Sequence, residues 1–498
     1  MNFGEYLFEN IRNTGKECLL SREGSLTYQD LLSRINGLSA YIISNIGTGN
    51  ECLILSENNP FFVIAYLAVI RSGNTALLVE TQISDIQLAT IYQECRIKLS
   101  FVQKKFGTKT KGWENVHTEE ILAELPPCET STVNPVHDDD VAVVIFTSGS
   151  TGAKKGVMLT HKNLCANTSS IVQYLELTPE DRICVTLPFF YCYGASLLHT
   201  HMRAGGSILL SKNIFIGGVI RDINAFRCTG FAGVPSTYQI LINKTPFLKD
   251  PLPTLRFMQQ AGGQLPNKYI RMIAEAFPEK KFFVMYGATE ATARLSFLPP
   301  DKVLKKLGSV GRGIPGVNLE VIDESGMPVR PGEIGEIVAA GDNIMKGYYG
   351  DPKGTAEVLS NGRLRTGDLA TVDNEGYIFI HGRAKNIIKS GGYRISPNEI
   401  EDFICALDGI TGCVVLGLPD ETMGEAVIAV VQYDGTAPAP EVRKMIETRC
   451  RQQLPSYKVP RRLFFVREFQ LNASDKVDKP ALSISIQEEI RRDPWAGL

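Results

Sequence analysis

Short apolar runs rich in Val and Ile alternate along the chain with longer segments in which apolar residues recur at helical spacing. The runs predict buried strands and the longer segments predict helices. Strands are predicted at 141–146, 208–210 and 281–285, with a helix at 268–277 between the last two. Because strands alternate with helices, the pattern favours an α/β architecture with largely parallel sheets.

The pattern changes near Gly308, where turn-forming Gly, Pro and Asn residues become dense. Short alternating strands at 318–322 and 336–339 predict a smaller β-rich unit over about 308–382. The remaining residues predict an α+β domain of ordinary size. Its elements are a helix at 398–407, strands at 412–416 and 426–433, a helix at 440–453 and a strand at 462–466. We therefore predict an N-terminal region over 1–382, a hinge at 383–390 and a C-terminal domain over 391–498.

Composition narrows the class of protein. The chain has 498 residues, which is too long for one domain. Its 52 Lys and Arg nearly balance 54 Asp and Glu, so no general charge favours nucleic acid or an anionic membrane. The longest apolar stretch, 60–70, is too short to span a bilayer and predicts a buried helix. Eleven cysteines without a CxxC pair predict reduced thiols, and the N-terminus has no signal-peptide pattern, so we expect a cytoplasmic protein.

The clearest local motif is TSGSTGAKKG at 147–156, directly after the predicted strand VAVVIF. Its glycines allow close backbone approach, its hydroxyls donate hydrogen bonds and Lys155 supplies a cation, which suits a polyphosphate. It does not match GxxxxGK[ST], the Walker A pattern. A plain Gly- and Ser-rich turn is the alternative interpretation.

This loop resembles the phosphate loop of the AMP-forming adenylating enzymes, which include acyl-CoA synthetases, aryl-CoA ligases, stand-alone adenylation enzymes and firefly luciferase. Four more motifs follow in that family's order: YGATE at 286–290, RTGDL at 365–369, GRAKNIIKSGG at 382–392 and NASDKVDK at 472–479. The resemblance covers nearly the whole chain. It implies a large N-terminal region of two α/β subdomains with a small β-barrel, followed by a smaller mobile α+β C-terminal domain.

The resemblance also implies an ATP site and a magnesium ion. Thr289 matches the contact to the α-phosphate, Glu290 the Mg²⁺ ligand, and Lys476 the lysine that bridges the substrate carboxylate and the α-phosphate. The matching nucleotide contacts are Thr147, Ser148, Gly149, Ser150, Thr151, Gly152, Lys155, Gly262, Gly263, Gln264, Tyr286, Gly287, Asp368 and Arg383. Asp368 and Arg383 match the contacts to the ribose. The family usually has Gly before the lysine, whereas this chain has Asp475.

The family forms its thioester after the C-terminal domain rotates. Lys385 matches the hinge position, and Gly391 and Gly392 match the loop offered to the incoming pantetheine. The thiol could belong to CoA or to the phosphopantetheine of an acyl carrier protein. Lys458, Arg461 and Arg462 form a basic cluster that could meet either acceptor, although a solvated face is the usual interpretation.

The acyl pocket is predicted at Tyr191, Cys192, Tyr193, Val234 and Arg294. Many acyl- and aryl-CoA ligases have His at the position of Tyr191. No acid occurs between Arg182 and Asp222, where amino-acid-activating relatives usually place one, so an α-amino acid is disfavoured. Arg294 could pair with a second polar or anionic group on the substrate, but a structural salt bridge is the favoured interpretation.

The leading prediction is an acid–thiol ligase that makes an acyl-adenylate and transfers the acyl group to CoA. The main alternative is a stand-alone enzyme that loads a carrier protein. A catalytically silent nucleotide-binding protein and a luciferase-like oxygenase are weaker alternatives, because the key Lys and Glu residues are present and no luciferin pocket is identified.

Overall fold

A computed structural model describes residues 1–130, 133–148, 154–211, 216–435, 437–473, 475–493 and 497. In its first third, strands carry short apolar runs and helices follow polar capping residues, such as Thr27 before the second helix. The strands are β1 Glu17–Ser21, β2 Gly24–Thr27, β3 Glu51–Leu55, β4 Thr75–Leu78, β5 Leu99–Val102, β6 Val116–His117, β7 Val141–Ser148 and β8 Lys154–Thr160. The helices are α1 Phe3–Tyr6, α2 Tyr28–Ile46, α3 Pro60–Arg71, α4 Asp85–Glu94 and α5 Ile121–Glu124.

The next segment continues the alternation of helices and strands. Its helices are α6 His161–Leu175, α7 Cys192–Ala204, α8 Ile216–Ala225, α9 Pro235–Lys244 and α10 Asn267–Ala276. Its strands are β9 Arg182–Val185, β10 Ser207–Leu210, β11 Gly230–Gly233, β12 Phe257–Gln260, β13 Lys281–Tyr286 and β14 Ser296–Leu298.

Two sheets organise these elements. One is seven-stranded, in the order β18–β8–β7–β4–β3–β5–β6, with a parallel centre from β7 to β6; its edge strand β18 is Gly347–Tyr348. The other has a parallel centre in the order β1–β10–β9–β11–β12–β13. Helices α3, α6 and α7 contribute to one core with residues of both sheets, and α3 is buried along almost its whole length, as predicted.

The β-rich segment extends the second sheet beyond β14 in antiparallel pairs. Its strands are β15 Ser309–Gly313, β16 Val317–Ile322, β17 Gly335–Gly341, β19 Leu359–Ser360, β20 Arg363–Val372 and β21 Ile378–Arg383, with helix α11 at Pro352–Val358. In the order β16–β17–β20–β21–β15, the strands run back to β14. The predicted change of texture near Gly308 is therefore a change from mostly parallel to antiparallel pairing.

The C-terminal domain has its own five-stranded sheet and two separate apolar clusters. Its strands are β22 Ile388–Ser390, β23 Tyr393–Ile395, β24 Ile410–Asp420, β25 Gly424–Tyr433 and β26 Arg462–Val466. Its helices are α12 Pro397–Cys405, α13 Ala439–Gln453 and α14 Lys479–Arg492. None of the helices in the described part of the chain combines the length and apolar character needed to cross a bilayer. All eleven cysteines are described, and none forms a disulfide.

Candidate active site

Two cavities meet where the C-terminal domain contacts the N-terminal region. The first has a volume of about 290 Å³ and is lined on one side by Tyr286 and Asp368. The second has a volume of about 710 Å³ and is lined by Thr289 and Glu290. Both cavities share the residues Gly262, Gly287, Arg383 and Lys476. Side chains predicted from four separate motifs therefore border one continuous region.

Asp368, Arg383 and Tyr286 form one hydrogen-bonded group in the first cavity. Asp368 on β20 lies opposite Arg383 on β21, and Nε of Arg383 donates to Oδ1 of Asp368 at 3.2 Å. The hydroxyl of Tyr286, the last residue of β13, donates to Oδ2 of the same carboxylate at 2.6 Å. The sheet pairing therefore fixes the predicted ribose-binding pair, and Tyr286 orients it.

Burial governs the ionisation of this group. The side chain of Asp368 is about nine-tenths hidden, and burial raises its pKa while the charge of Arg383 lowers it. Burial likewise raises the pKa of Tyr286, and the neighbouring carboxylate raises it further. Tyr286 is therefore protonated at neutral pH and acts as a donor to Asp368.

Thr289 and Glu290 lie in a short 3₁₀ turn, Thr289–Ala291, that follows β13. The Thr289 hydroxyl is 3.4 Å from Sγ of Cys192, and Oε1 of Glu290 accepts a hydrogen bond of 2.8 Å from the hydroxyl of Tyr348. Glu290 is only partly buried and lines the second cavity, so its second oxygen can face a ligand there.

Strands β7 and β8 flank the predicted phosphate loop. The neighbouring residues Lys154 and Lys155 point to opposite faces of β8. Thr147 pairs with Lys155 across β7 and β8, and Thr147 and Lys154 line the second cavity. Lys154 pairs with Glu80 at 2.6 Å. Lys155, the predicted phosphate cation, instead lies 4.6 Å above the ring of Tyr348. The predicted residues Gly149, Ser150, Thr151 and Gly152 lie outside the described residues, as does the side chain of Ser148.

Lys476 reaches the site from a tight loop of the C-terminal domain. Leu471 and Val477 form an isolated bridge, and the amide of Asn472 donates to the Lys476 carbonyl at 2.8 Å. Between them Asp475 has a φ of +58°, the left-handed region that favours glycine. Its carbonyl accepts a hydrogen bond from the hydroxyl of Ser236 in the N-terminal region. Nζ of Lys476 donates to the Tyr191 hydroxyl at 2.9 Å.

The turn after β12 approaches the lysine closely. Gly262 has a φ of +90°, and a Cβ there would lie 3.0 Å from Cγ1 of Val234 and 3.3 Å from Cε of Lys476. Gly263 follows along the first cavity. Gln264 instead turns to the C-terminal domain, where its amide donates to Asp402 at 2.7 Å. Gln264 therefore helps to dock the two domains.

The predicted acyl-pocket residues surround the start of α7. Tyr191 lines the second cavity, whereas Cys192 and Tyr193 are buried behind it. Arg294 is only 1 % exposed, and its Cζ lies 4.1 Å from the centre of the Tyr193 ring. Among the described residues Arg294 forms no ion pair, so the favoured prediction of a structural salt bridge is not supported.

Three predicted residues lie away from both cavities. Lys385 is in the 3₁₀ turn Ala384–Asn386, and Gly391 and Gly392 form the turn between β22 and β23 with positive φ angles.

In the basic cluster, Lys458 binds both carboxylate oxygens of Glu399 at 2.7 Å, and Arg461 binds Asp420 at 3.2 Å. Much of the positive charge predicted to meet an acceptor is therefore paired within the domain.

Sequence reasoning did not single out Tyr348 or Glu80, and it placed Ser236 in the candidate pocket stretch 231–236 without its contact to the lysine loop. Tyr348 follows Glu290 by 58 residues and Ser236 precedes Asp475 by 239, so no local pattern links them. The sequence motif assigns no role to Lys154, because Lys155 is the residue that matches the lysine of the family loop. The position of Lys154 on β8 was the signal that could have identified it, because neighbouring side chains on a strand point to opposite faces.

The sequence of this chain matches known protein families and individual proteins. A family model for the AMP-binding enzymes matches residues 8–349, and one for the AMP-binding enzyme C-terminal domain matches residues 399–476. The chain is 36% identical over 483 residues to feruloyl-CoA synthase of an Amycolatopsis species, covering 91% of this chain and 93% of that protein. It is 29% identical over 468 residues to 2-succinylbenzoate–CoA ligase of Bacillus pumilus, covering 93% and 94%.

Solved structures with the same fold cover nearly the whole chain. ATP-bound MatB from Rhodopseudomonas palustris has a TM-score of 0.87 and 26% identity, covering 98% of this chain and 99% of that one. The anthranilate CoA ligase AuaEII in complex with anthranoyl-AMP has a TM-score of 0.89 at 22% identity, covering 97% of each chain.

Proposed function

This chain belongs to the AMP-binding enzyme family, and we propose that it joins a carboxylic acid to the thiol of CoA at the expense of ATP. One observation carries the proposal above all others. Lys476, from the C-terminal domain, lies in the same cavity as Thr289 and Glu290 from the N-terminal region. A cation and a hydroxyl thus converge where two anionic reactants have to meet.

In the first half-reaction, an oxygen of the substrate carboxylate attacks the α-phosphorus of ATP, and the bond to pyrophosphate breaks. Both reactants are negative, so the reaction requires fixed positive charge and donors near the phosphorus. Lys476 supplies the charge, and Thr289 supplies a hydroxyl donor. Because Lys476 comes from a separate domain, this arrangement exists only when the domains are docked.

The first cavity supplies a site for the nucleoside. The Asp368 carboxylate can accept from the ribose hydroxyls, while Arg383 and Tyr286 hold it in place through the bonds of 3.2 Å and 2.6 Å. Gly262 and Gly263 leave room on the opposite wall. The cavity continues to Lys476, so the α-phosphate of a nucleotide bound here would face the second cavity.

We assign Mg²⁺ to Glu290. A carboxylate oxygen is a hard ligand, and Mg²⁺ is usually held by one or two carboxylates together with substrate phosphates. In the described part of the chain no group of three or more potential ligand residues comes together, which fits that mode of binding better than an all-protein cage. When bound, Mg²⁺ would neutralise the charge on the polyphosphate. The partly buried Glu290, oriented by Tyr348, would hold it.

In the second half-reaction, the CoA sulfur attacks the acyl carbon and AMP leaves. We propose that Lys385 lies in the hinge, and that rotation there removes Lys476 and brings Gly391 and Gly392 to the site. A two-state cycle of this kind lets one site exclude water during adenylation and admit a thiol afterwards. CoA is favoured over a carrier protein because relatives of this chain are named as CoA synthases and CoA ligases.

The identity of the acid does not follow from the relatives. Those most similar to this chain are named for ferulate, 2-succinylbenzoate, indoleacetate and sulfoacetate, which differ widely in size and charge. The absence of an acidic residue between Arg182 and Asp222 argues against an α-amino acid. We place the enzyme in the cytoplasm, where ATP and CoA are available.

The test is a reaction of the purified protein with ATP, Mg²⁺ and a panel of fatty, aryl, hydroxy, dicarboxylic and amino acids. CoA and a phosphopantetheinylated carrier protein are compared as acceptors. We expect AMP, pyrophosphate and an acyl-CoA in equal amounts with one class of acid. Thioester formed only on the carrier would favour the stand-alone adenylation enzyme. ATP binding without AMP formation for every acid would identify a catalytically silent protein and overturn the proposal.

A further inference from the structure

Arg294 is a buried charge with an unused hydrogen-bonding edge. Its side chain is almost completely enclosed, Nη1 reaches the Ala293 carbonyl at 3.5 Å, and the guanidinium lies near the Tyr174 hydroxyl, whose pKa burial raises and the charge of Arg294 lowers. Among the described residues, Nε and Nη2 have no hydrogen-bond partner. Leaving a charged group buried with few partners destabilises the folded state. The Tyr193 ring at 4.1 Å offsets part of that cost.

The unused edge is the one that binds carboxylates elsewhere in this chain. Arg22 donates from Nε and Nη2 to Asp222 at 3.0 and 2.7 Å. Arg256 uses the same two atoms for Asp181, at 3.1 and 2.8 Å. A guanidinium donates two parallel bonds to a carboxylate along this edge. In the described part of the chain, no carboxylate binds this edge of Arg294.

The backbone places Arg294 directly behind the reaction site. A Cβ on Gly287, which lines both cavities, would lie 1.9 Å from the Ala293 carbonyl and 2.9 Å from Cα of Arg294. A second unsatisfied group lies beside the same tyrosine. The Tyr193 hydroxyl donates to the backbone carbonyl of Gln259 at 3.1 Å, and neither polar atom of the buried Gln259 side chain has a partner.

We propose that Arg294 determines specificity by binding a second carboxylate of the substrate, so that the enzyme activates a dicarboxylic acid. This deepens the proposed function and rests on it. One carboxylate is adenylated beside Lys476, while the other accepts two hydrogen bonds from Nε and Nη2 of Arg294, with the Gln259 amide as a further donor. Because the guanidinium is enclosed, the first turn of α7, which carries Tyr193, must shift when the acid binds.

The decisive experiment compares substrates that share one carbon skeleton and differ in whether they carry the second carboxylate. Acid-dependent ATP–pyrophosphate exchange is measured with short aliphatic and aromatic dicarboxylic acids, each beside its monomethyl ester and the monocarboxylic acid of the same skeleton. We expect wild type to prefer one diacid over its monoester by at least about a hundredfold in kcat/KM, because the monoester leaves a buried charged donor without its partner. Arg294→Met should abolish that preference, mainly by lowering activity toward the diacid, while Arg294→Lys should retain part of it.

Thermal unfolding separates a substrate-binding arginine from a structural one. Arg294→Met should unfold at the same or a higher temperature than wild type when no substrate is present, because it removes an uncompensated buried charge. Arg256→Met is the matched control, since it breaks the pair with Asp181 and should unfold at a lower temperature. A large loss of stability in Arg294→Met would assign Arg294 a structural role.

Two failures are distinguishable. If no acid supports exchange or thioester formation, the proposed function is wrong. If monocarboxylic acids react as well as the matching diacids, and Arg294→Met leaves that ratio unchanged, the enzyme is a ligase but the inference about Arg294 is wrong.

Discussion

Nζ of Lys476 lies 2.9 Å from the hydroxyl oxygen of Tyr191 and 5.0 Å from the centre of its ring. The two residues are 285 positions apart and belong to different domains. Tyr191 precedes α7 and lines the second cavity. The contact therefore joins the lysine of the C-terminal domain to the wall of the predicted acyl pocket.

Loss of the Tyr191 hydroxyl should slow adenylation. Tyr191→Phe keeps the ring but removes the acceptor for Lys476, and a hydrogen bond to a charged group contributes about 1.5–3 kcal/mol. We expect ATP–pyrophosphate exchange to fall by about tenfold, with little change in thioester formation from a synthetic acyl-adenylate. Tyr191→His should recover part of the rate. Equal effects on both half-reactions would contradict a role specific to Lys476.

The backbone conformation at Asp475 predicts which substitutions this position tolerates. Its φ of +58° costs most residues about 1–2 kcal/mol, but costs glycine nothing and asparagine little. Asp475→Gly and Asp475→Asn should therefore keep adenylation near the wild-type rate, whereas Asp475→Val should reduce it and lower the thermal stability. Exchange faster than wild type in both Asp475→Asn and Asp475→Gly would show instead that the carboxylate competes for the lysine.

Glu290 should determine the magnesium requirement. In Glu290→Gln the Mg²⁺ concentration for half-maximal exchange should rise by at least about tenfold, because a charged ligand oxygen is lost. Tyr348→Phe removes only the hydroxyl that donates to Glu290, so its requirement should shift much less. An unchanged magnesium titration in Glu290→Gln would remove Glu290 from the metal site.

Asp402 should make domain docking sensitive to pH. Burial between the domains raises its pKa from 3.8 to about 7, against hydrogen bonds from Asn267 and Gln264 that lower it. The docked protein thus binds a proton that an exposed Asp402 would release, so docking is favoured at low pH and loses this contribution as pH rises through about 7. The thermal stability of wild type should fall between about pH 4 and about pH 7 more than that of Asp402→Asn, because the docked protein keeps the proton up to about pH 7. Parallel curves for the two proteins would exclude Asp402 as the cause.

The sequence predicted the elements that depend on local pattern. The strand at 141–146 and the helix at 440–453 agree with β7 and α13 to within two residues, because their apolar spacing is regular. The strand predicted at 412–416 extends over Ile410–Asp420. Gly417 and Pro419 mark a strand end in sequence, but pairing with β25 continues across both residues.

The contacts within the site that the sequence did not predict depend on distant pairing. Tyr286 and Asp368 are 82 residues apart, and only the order of strands in the sheet brings them together. The opposite orientation of Lys154 and Lys155 depends on the register of β8 against β7. Whether Arg294 has an acidic partner depends on which side chains the fold packs around it, and the sequence alone does not show this.

The most direct test of the account separates the two half-reactions in Lys476→Ala. Acid-dependent ATP–pyrophosphate exchange and thioester formation from a synthetic acyl-adenylate and CoA are measured on the same preparation, with Lys479→Ala as the control for a nearby lysine that pairs with Glu401. We predict that Lys476→Ala loses exchange by at least about a hundredfold and keeps thioester formation within about threefold of wild type. Retained exchange, or equal loss in both half-reactions, would contradict the assignment of Lys476 as the adenylation lysine.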